Sequence, residues 1–241
     1  MDPEKIMEEN VRLKDVVQKQ DQMKAVATLA AGMAHEIKNP LTSIKTFAEY
    51  LPKKYDDPEF REKFSRIVVD EVDRVNNIVK QLLEFSKPKE LELKPESITA
   101  ILDDTLNLLN SNLLQNKIEI VKNYKESPII SVDKNQLKQA FLNLFINSIQ
   151  AMPNGGTLTV SSCLLSTDSC LLISISDTGC GIPKDQLEHI FDPFFSTKEG
   201  GTGLGLSIVH GIVTKHGGEI KVESKPGQGT NIRVTLGVPS S

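Results

Sequence analysis

A change of texture at Pro88 constrains this chain more than any other feature of its 241 residues. From Pro3 to Lys87 the only glycine is Gly32, and apolar residues return at helical intervals, so this half is read as helix. Phe64, Val68, Glu71, Val75, Ile78, Leu82 and Phe85 advance in alternating steps of four and three. That is a heptad seam with Glu71 as its one polar break. Between the helices, LPKKYDDPEF holds two prolines and two aspartates and reads as a turn, with Asp57 the N-cap and Pro58 the first helical residue. Two long helices then fold back as an antiparallel hairpin over residues 23–88. Its first helix carries a wide apolar stripe of Leu29, Ala30, Met33, Ile37, Leu41, Ile44 and Phe47. Pairing two hairpins as a four-helix bundle would bury it, which predicts a homodimer. Upstream, Ile6, Leu13, Val16, Gln20 and Met23 continue a weaker heptad. Residues 1–22 are therefore either a parallel coiled coil entering the bundle or a solvated helical tail.

After Pro88 the pattern is mixed. Helices are expected over Ile98–Leu114, Asn135–Met152 and Gly205–His216, and strands over Lys117–Lys122, Pro128–Val132, Thr157–Ser161, Leu171–Ser176, Glu219–Glu223 and Asn231–Leu236. The predicted architecture for residues 89–241 is an α/β sandwich, one helical layer over a mostly antiparallel sheet.

Composition removes several function classes. Against 28 Lys+Arg stand 32 Asp+Glu, a net charge of −4, so there is no basic field to draw in nucleic acid. No apolar run approaches the ~18 residues that a membrane span requires, and the N-terminus lacks a signal-peptide core, so the chain is expected to be cytoplasmic, without membrane contact of its own, as a free protein or as the cytoplasmic part of a membrane-bound sensor. Cys163, Cys170 and Cys180 fit no paired metal spacing and are read as free thiols of a reducing compartment.

Four segments carry chemistry, in order along these elements. The first is His35-Glu36-Ile37-Lys38-Asn39-Pro40-Leu41. An imidazole with a pKa near ~6.5 is largely neutral at cytoplasmic pH, so a ring nitrogen can attack a phosphoryl group, and Glu36 is long enough to steady the imidazolium that develops. Taken alone, His35 beside Glu36 also fits an ordinary surface pair. The second is the i,i+4 pair Asn143 and Asn147 on an otherwise apolar helix, either oxygen ligands for Mg²⁺ or a polar exposed stripe. The third, Asp177-Thr178-Gly179-Cys180-Gly181, follows a strand. A carboxylate there can accept hydrogen bonds from an exocyclic amine, and its glycines let backbone approach a planar base. The fourth runs from Phe191-Asp192-Pro193-Phe194-Phe195 through Lys198 to Gly201-Thr202-Gly203-Leu204-Gly205. Glycines leading into a helix N-terminus offer free N–H groups to phosphates. The residues between read as a lid, with Lys198 either reaching a phosphate or simply solvated.

The ordered series resembles the sensor histidine kinases, in particular the nitrogen-regulation-like branch whose histidine box reads HEIKNPL, and the resemblance runs from Met23 to Val238. It implies a dimerisation and histidine-phosphotransfer hairpin followed by an ATP-binding domain of the type shared with type II topoisomerases and other GHKL ATPases. It implies ATP and Mg²⁺ as cofactors, a response-regulator receiver domain as partner, and His35 as phosphoacceptor with Glu36 its acid/base neighbour. By the same resemblance Asn147 is the Mg²⁺ ligand, Asn143 its companion, Asp177 the adenine-reading carboxylate with Gly179 and Gly181 its loop, and Gly201 to Gly205, with Thr202, Gly203 and Leu204, the second glycine box. Asn39 corresponds to the amide of the Glu-x-x-Asn pattern that related bundles use to dephosphorylate the regulator. One departure is Gln150, where many relatives carry a basic residue, so triphosphate charge falls more to Lys198, backbone N–H groups and Mg²⁺. Two other classes stand beside this reading. One is a degenerate nucleotide-binding scaffold. The other is an ATPase of the same superfamily that activates water, which would need a glutamate base where Asn143 stands.

Overall fold

The computed structural model describes residues 37–86, 91–125, 128–165, 170–198 and 202–238. The chain divides into two compact units, Met1–Pro88 and Lys89–Ser241.

In the first unit, helix α1 covers residues 37–54 and helix α2 Pro58–Ser86. The turn between them forms for the reason its residues suggest. Asp57 Oδ1 accepts the N–H groups of Glu59 (3.0 Å) and Phe60 (3.2 Å), satisfying two donors that the start of a helix leaves free. Pro58 occupies the position where a missing N–H costs nothing. Phe47 stacks on Phe60 with ring centroids 5.9 Å apart, fastening α1 to the start of α2. Along α2, Phe64, Val68, Glu71 and Val75 are half-buried and Ile78 is buried, whereas Val69, Val72 and Val79 face solvent. On α1, Ile37, Ile44 and Phe47 are half-buried and Leu41 is 52% exposed. One hairpin alone therefore leaves part of the stripe uncovered. The upstream heptad from Ile6 to Met23, and Leu29, Ala30 and Met33, lie outside the described residues.

In the second unit, helices α3 (Ile98–Leu108), α4 (Asn110–Gln115), α5 (Lys134–Ala151) and α6 (Gly205–Lys215) pack with a five-stranded sheet. Its strands are β2 (Ile118–Tyr124), β4 (Gly156–Leu165), β5 (Cys170–Asp177), β6 (Glu219–Lys225) and β7 (Gly229–Gly237), in the order β2-β4-β5-β7-β6. Only β2 and β4 run parallel, and the crossover that a parallel pair requires is supplied by α5. Burial alternates residue by residue along β5, placing Leu171, Ile173 and Ile175 in one core with Leu158 and Val160 of β4, Val234 and Leu236 of β7, and Phe141, Leu144 and Phe145 of α5. Each such side chain contributes about 1.5–3 kcal/mol on leaving water.

Two expectations are corrected. The single helix from Ile98 to Leu114 is two, α3 and α4, joined at Leu109 (ψ 5°). Leu109 N–H turns back to Leu106 O at 3.0 Å, a tightened i to i−3 turn, and the polar Asn110-Ser111-Asn112 that follows is weak in helix propensity. A further strand, β1 (Lys94–Ser97), pairs antiparallel with β3 (Ile129–Val132) as a separate two-stranded sheet. Its sequence KPES carries no apolar alternation to announce it.

Asp133 sets the start of α5. Its carboxylate accepts the N–H groups of Asn135 (3.0 Å), Gln136 (3.1 Å) and Glu92 (3.2 Å), and these bonds hold its carboxyl below the usual range even though burial alone would raise it. Asp133 N–H in turn donates to His216 Nε2 at 3.0 Å, while His216 Nδ1 bonds Ile212 O at 2.8 Å. Those partners select the tautomer with the proton on Nδ1 and tie the end of α6 to the start of α5.

Candidate nucleotide site and histidine box

At the end of β5, Asp177 is only 6% exposed. Its Oδ1 accepts the N–H groups of Gly179 (3.0 Å) and Thr230 (3.2 Å), and the Ser148 hydroxyl bonds the same carboxylate. Burial nevertheless wins and pushes the Asp177 carboxyl above the ordinary carboxylate value, against these bonds and the Lys198 charge. Sequence reasoning missed Ser148 and Thr230. Neither is announced by its sequence neighbours: Ser148, 3% exposed, reaches Asp177 only because α5 packs on the sheet, and Thr230 is its partner only through the β5–β7 register.

The loop after Asp177 is pinned at both sides. Cys180 N–H donates to Ala151 O (3.0 Å), and Cys180 O accepts from Gly227 N–H (2.7 Å). Gly181 sits at φ 69°, and a Cβ there would collide with the Lys225 carbonyl. The chain's own backbone thus requires a glycine at this position, apart from any base that approaches it.

Phe191 packs against His210 of α6 (centroids 5.4 Å), and Phe194 N–H donates to Gly203 O at 3.1 Å. A Cβ on Gly203, at φ 64°, would run into the Phe194 backbone, so the phenylalanine segment and the second glycine box are fitted to each other. Lys198 Nζ donates to Gln150 Oε1 at 2.8 Å. The lid therefore delivers an ammonium to the place on α5 where the helix itself has no basic residue. Partial burial holds that amine below the usual lysine range, with Cys180 and Asp177 opposing.

Leu204 is the N-cap of α6 and provides no side-chain cap, which leaves the first N–H groups and the positive end of the helix open. A Cβ on Gly205 would lie 3.9 Å from Asn147 Nδ2 and 4.0 Å from Asn143 Cγ, and Asn143 Nδ2 donates to Gly205 O at 3.4 Å. Asn143, Asn147, the uncapped α6 terminus, Asp177 and Lys198 are thus assembled from three separate stretches of sequence around α5. A buried acceptor for a base, an uncapped helix start for phosphates and a carboxamide for a hard cation fit a nucleoside triphosphate with Mg²⁺. Thr202 and Gly203 are half-buried beside this terminus. Gly201, His35 and Glu36 lie outside the described residues, and Asn39 is exposed on α1 beside the buried Pro40.

Residues 25–91 match the His Kinase A (phospho-acceptor) domain, and residues 132–240 match the histidine kinase-, DNA gyrase B-, and HSP90-like ATPase. The chain is a histidine kinase catalytic core. Its second unit is the ATP-binding domain. Sporulation kinase C of Bacillus subtilis (strain 168) is 39% identical to this core over 98% of the chain and 54% of its own length. Sensor histidine kinase ZraS of Escherichia coli (strain K12) is 37% identical over 94% of the chain and 48% of its own. The core thus spans about half the length of these curated relatives. Among solved structures, histidine kinase ThkA, in its complex with response regulator protein TrrA, superposes with a TM-score of 0.80 at 26% identity, covering 93% of this chain and 65% of that one. Among the described residues of the kinase core, no helix is long and apolar enough to cross a membrane.

Proposed function

We propose that this core is an ATP-dependent protein-histidine kinase of a two-component system, working as a homodimer in the cytoplasm. His35 would take the γ-phosphoryl group and pass it to an aspartate of a response-regulator receiver domain. The observation that carries the reading is the convergence of Asn143, Asn147 and the open α6 terminus beside Asp177, in a chain whose first unit matches a phosphoacceptor domain. The HEIKNPL box at His35–Leu41 supports the nitrogen-regulation-like branch.

When bound, ATP supplies the phosphoryl group and Mg²⁺ supplies neutralising charge, with Asn147 as its protein ligand. Asp177 reads the adenine edge and, with its N–H bonds from Gly179 and Thr230 already made, needs no rearrangement to do so. The N–H groups from Gly201 to Gly205, Thr202 and Leu204 included, meet the phosphates, and Lys198 adds positive charge from the lid. The His35 ring nitrogen forms the N–P bond as the β–γ bridging bond breaks, and Glu36 steadies the proton on the other ring nitrogen. Asn39 follows Glu36 by three residues and can orient a water, which is the basis for phosphatase action on the regulator.

Incubation with γ-labelled ATP tests the proposal. An acid-labile, base-stable label is expected on wild type and none on His35→Ala, with nucleotide affinity unchanged. A label that persists at His189, His210 or His216 would overturn the assignment. Asn39→Ala should keep the label at His35 but slow dephosphorylation of the regulator.

A further inference from the structure

Gln150 lies in the last turn of α5, three residues after Asn147 and seven after Asn143, so the three carboxamides follow one face of the helix. That last turn holds no basic residue, although the C-terminal end of a helix favours a cation. The cation that stands there comes from 48 residues away: Lys198 Nζ donates to Gln150 Oε1 at 2.8 Å. The lysine is set for this reach by its own turn, in which the Ser196 hydroxyl accepts from Lys198 N–H (3.2 Å) and donates to Lys198 O (3.3 Å). On the next residue of α5, Ala151 O accepts the Cys180 N–H at 3.0 Å, so the loop after Asp177 and the Lys198 side chain meet α5 at adjacent positions. Asp177 and Lys198 accordingly feel each other's charge. The acceptor matters for its chemistry as well as its place. An amide oxygen holds an ammonium by one hydrogen bond and leaves its charge and its other donors free, whereas a carboxylate would cancel the charge. A lysine stem has many rotamers, so an ammonium held in place beforehand spares an arriving anion the cost of ordering it.

We propose that Gln150 is a positioning residue, which holds the Lys198 ammonium on the asparagine face of α5 as an uncancelled positive charge for the phosphates of the nucleotide. The proposal rests on the reading of this site as one for ATP. Gln150 acts through Lys198: the helix contributes a neutral acceptor, the segment before the second glycine box contributes the charge, and neither residue supplies a placed cation alone.

Calorimetry on the full chain with a non-hydrolysable ATP analogue and Mg²⁺ tests this. Gln150→Ala and Lys198→Ala should each weaken binding about three- to tenfold, and the double variant should bind no more weakly than Lys198→Ala, because the two residues act as one. Gln150→Glu separates placing the charge from fastening the segment. It strengthens the tie to Lys198 but cancels the charge, so without nucleotide it should melt at or above wild type, yet bind the analogue at least as weakly as Gln150→Ala. Exchanging the pair, Gln150→Lys with Lys198→Gln, returns a cation and an amide to the same place and should recover most of the lost affinity. Adenosine, which carries no phosphate, should bind Gln150→Ala as it binds wild type. Additive losses in the double variant, an exchanged pair no better than the double variant, or wild-type affinity for the analogue in Gln150→Ala or Gln150→Glu would each overturn the role of Gln150 while leaving the nucleotide site standing. So would an equal loss for adenosine. A wild-type chain that binds no adenine nucleotide would overturn the reading of the site and the role of Gln150 with it.

Discussion

Between Ile98 and Leu236 the ATP-binding unit surrounds its apolar residues with helices on one side and sheet on the other, so that Leu102, Leu137, Leu144 and Ile173 lose all contact with water. The hairpin treats similar residues differently: among those described, only Pro40 and Ile78 are buried, and Leu41, Val69, Val72 and Val79 remain in solvent. The second unit mixes helical and alternating periods, whereas the first uses the narrow period of a seam, and its described residues leave Leu41, Val69, Val72 and Val79 uncovered. A mixed α/β unit closes a core by itself because its sheet covers the helices' apolar faces. The comparison predicts that one unit's stability belongs to the chain and the other's to the pair.

Dilution gives the largest expected effect. Lowering the protein concentration a hundredfold should remove about 2.8 kcal/mol from the hairpin's apparent stability, by mass action, and leave the ATP-binding unit's unfolding where it was. Circular dichroism melts across that range would show it, and a hairpin transition independent of concentration would break the comparison.

Next in size is nucleotide binding. Asp177→Ala removes a charged acceptor worth roughly 1.5–3 kcal/mol, so calorimetry should find nucleotide bound roughly 10- to 100-fold more weakly, with dimerisation unchanged. Altered dimerisation would mean that the two units do not keep their tasks apart.

A smaller effect is expected at Asp133. Asp133→Ala should cost about 1 kcal/mol through loss of the α5 cap, lowering the melting temperature of the ATP-binding unit alone by roughly 2–4 °C. Because the folded state holds this carboxyl below its ordinary value, the unfolded chain binds its proton first as pH falls. The Asp133 contribution is therefore complete at neutral pH and fades as the medium is acidified, so the gap between wild type and variant should narrow in acid.

The same two regions explain what could be read from the residues. The turn at Asp57 and Pro58, the helices at Lys134 and Gly205, and the alternation of β5 rest on local chemistry, and local chemistry is written in consecutive residues. Strand β1 was illegible because Lys94-Pro95-Glu96-Ser97 is a strand only by virtue of β3, 35 residues away at the Lys94 and Ile129 ends. The break at Leu109 was hidden by apolar residues that continue the helical pattern through it. In the site, Asn143, Asp177 and Lys198 were visible as residue types in order, while Ser148, Thr230 and the Lys198 bond to Gln150 depend on approach across the fold.

The smallest effect has the most informative sign. Burial raises the Asp177 carboxyl, so in the folded state it holds a proton at a pH where the unfolded chain has already released it. Stability then falls as pH rises through that window, opposite to Asp133. The ionised carboxylate is a cost that the nucleotide-free unit bears at neutral pH. Asp177→Asn removes the charge and keeps an oxygen that can accept from Gly179 and Thr230. Without nucleotide, this variant should melt at or slightly above wild type at pH 7, and the difference should close as the pH is lowered into the carboxylate range. Circular dichroism melts at several pH values measure both. A variant that melts well below wild type at neutral pH would show that the charge-assisted bonds outweigh desolvation, and Asp177 would then stabilise the fold as Asp133 does instead of being kept at its expense for the nucleotide.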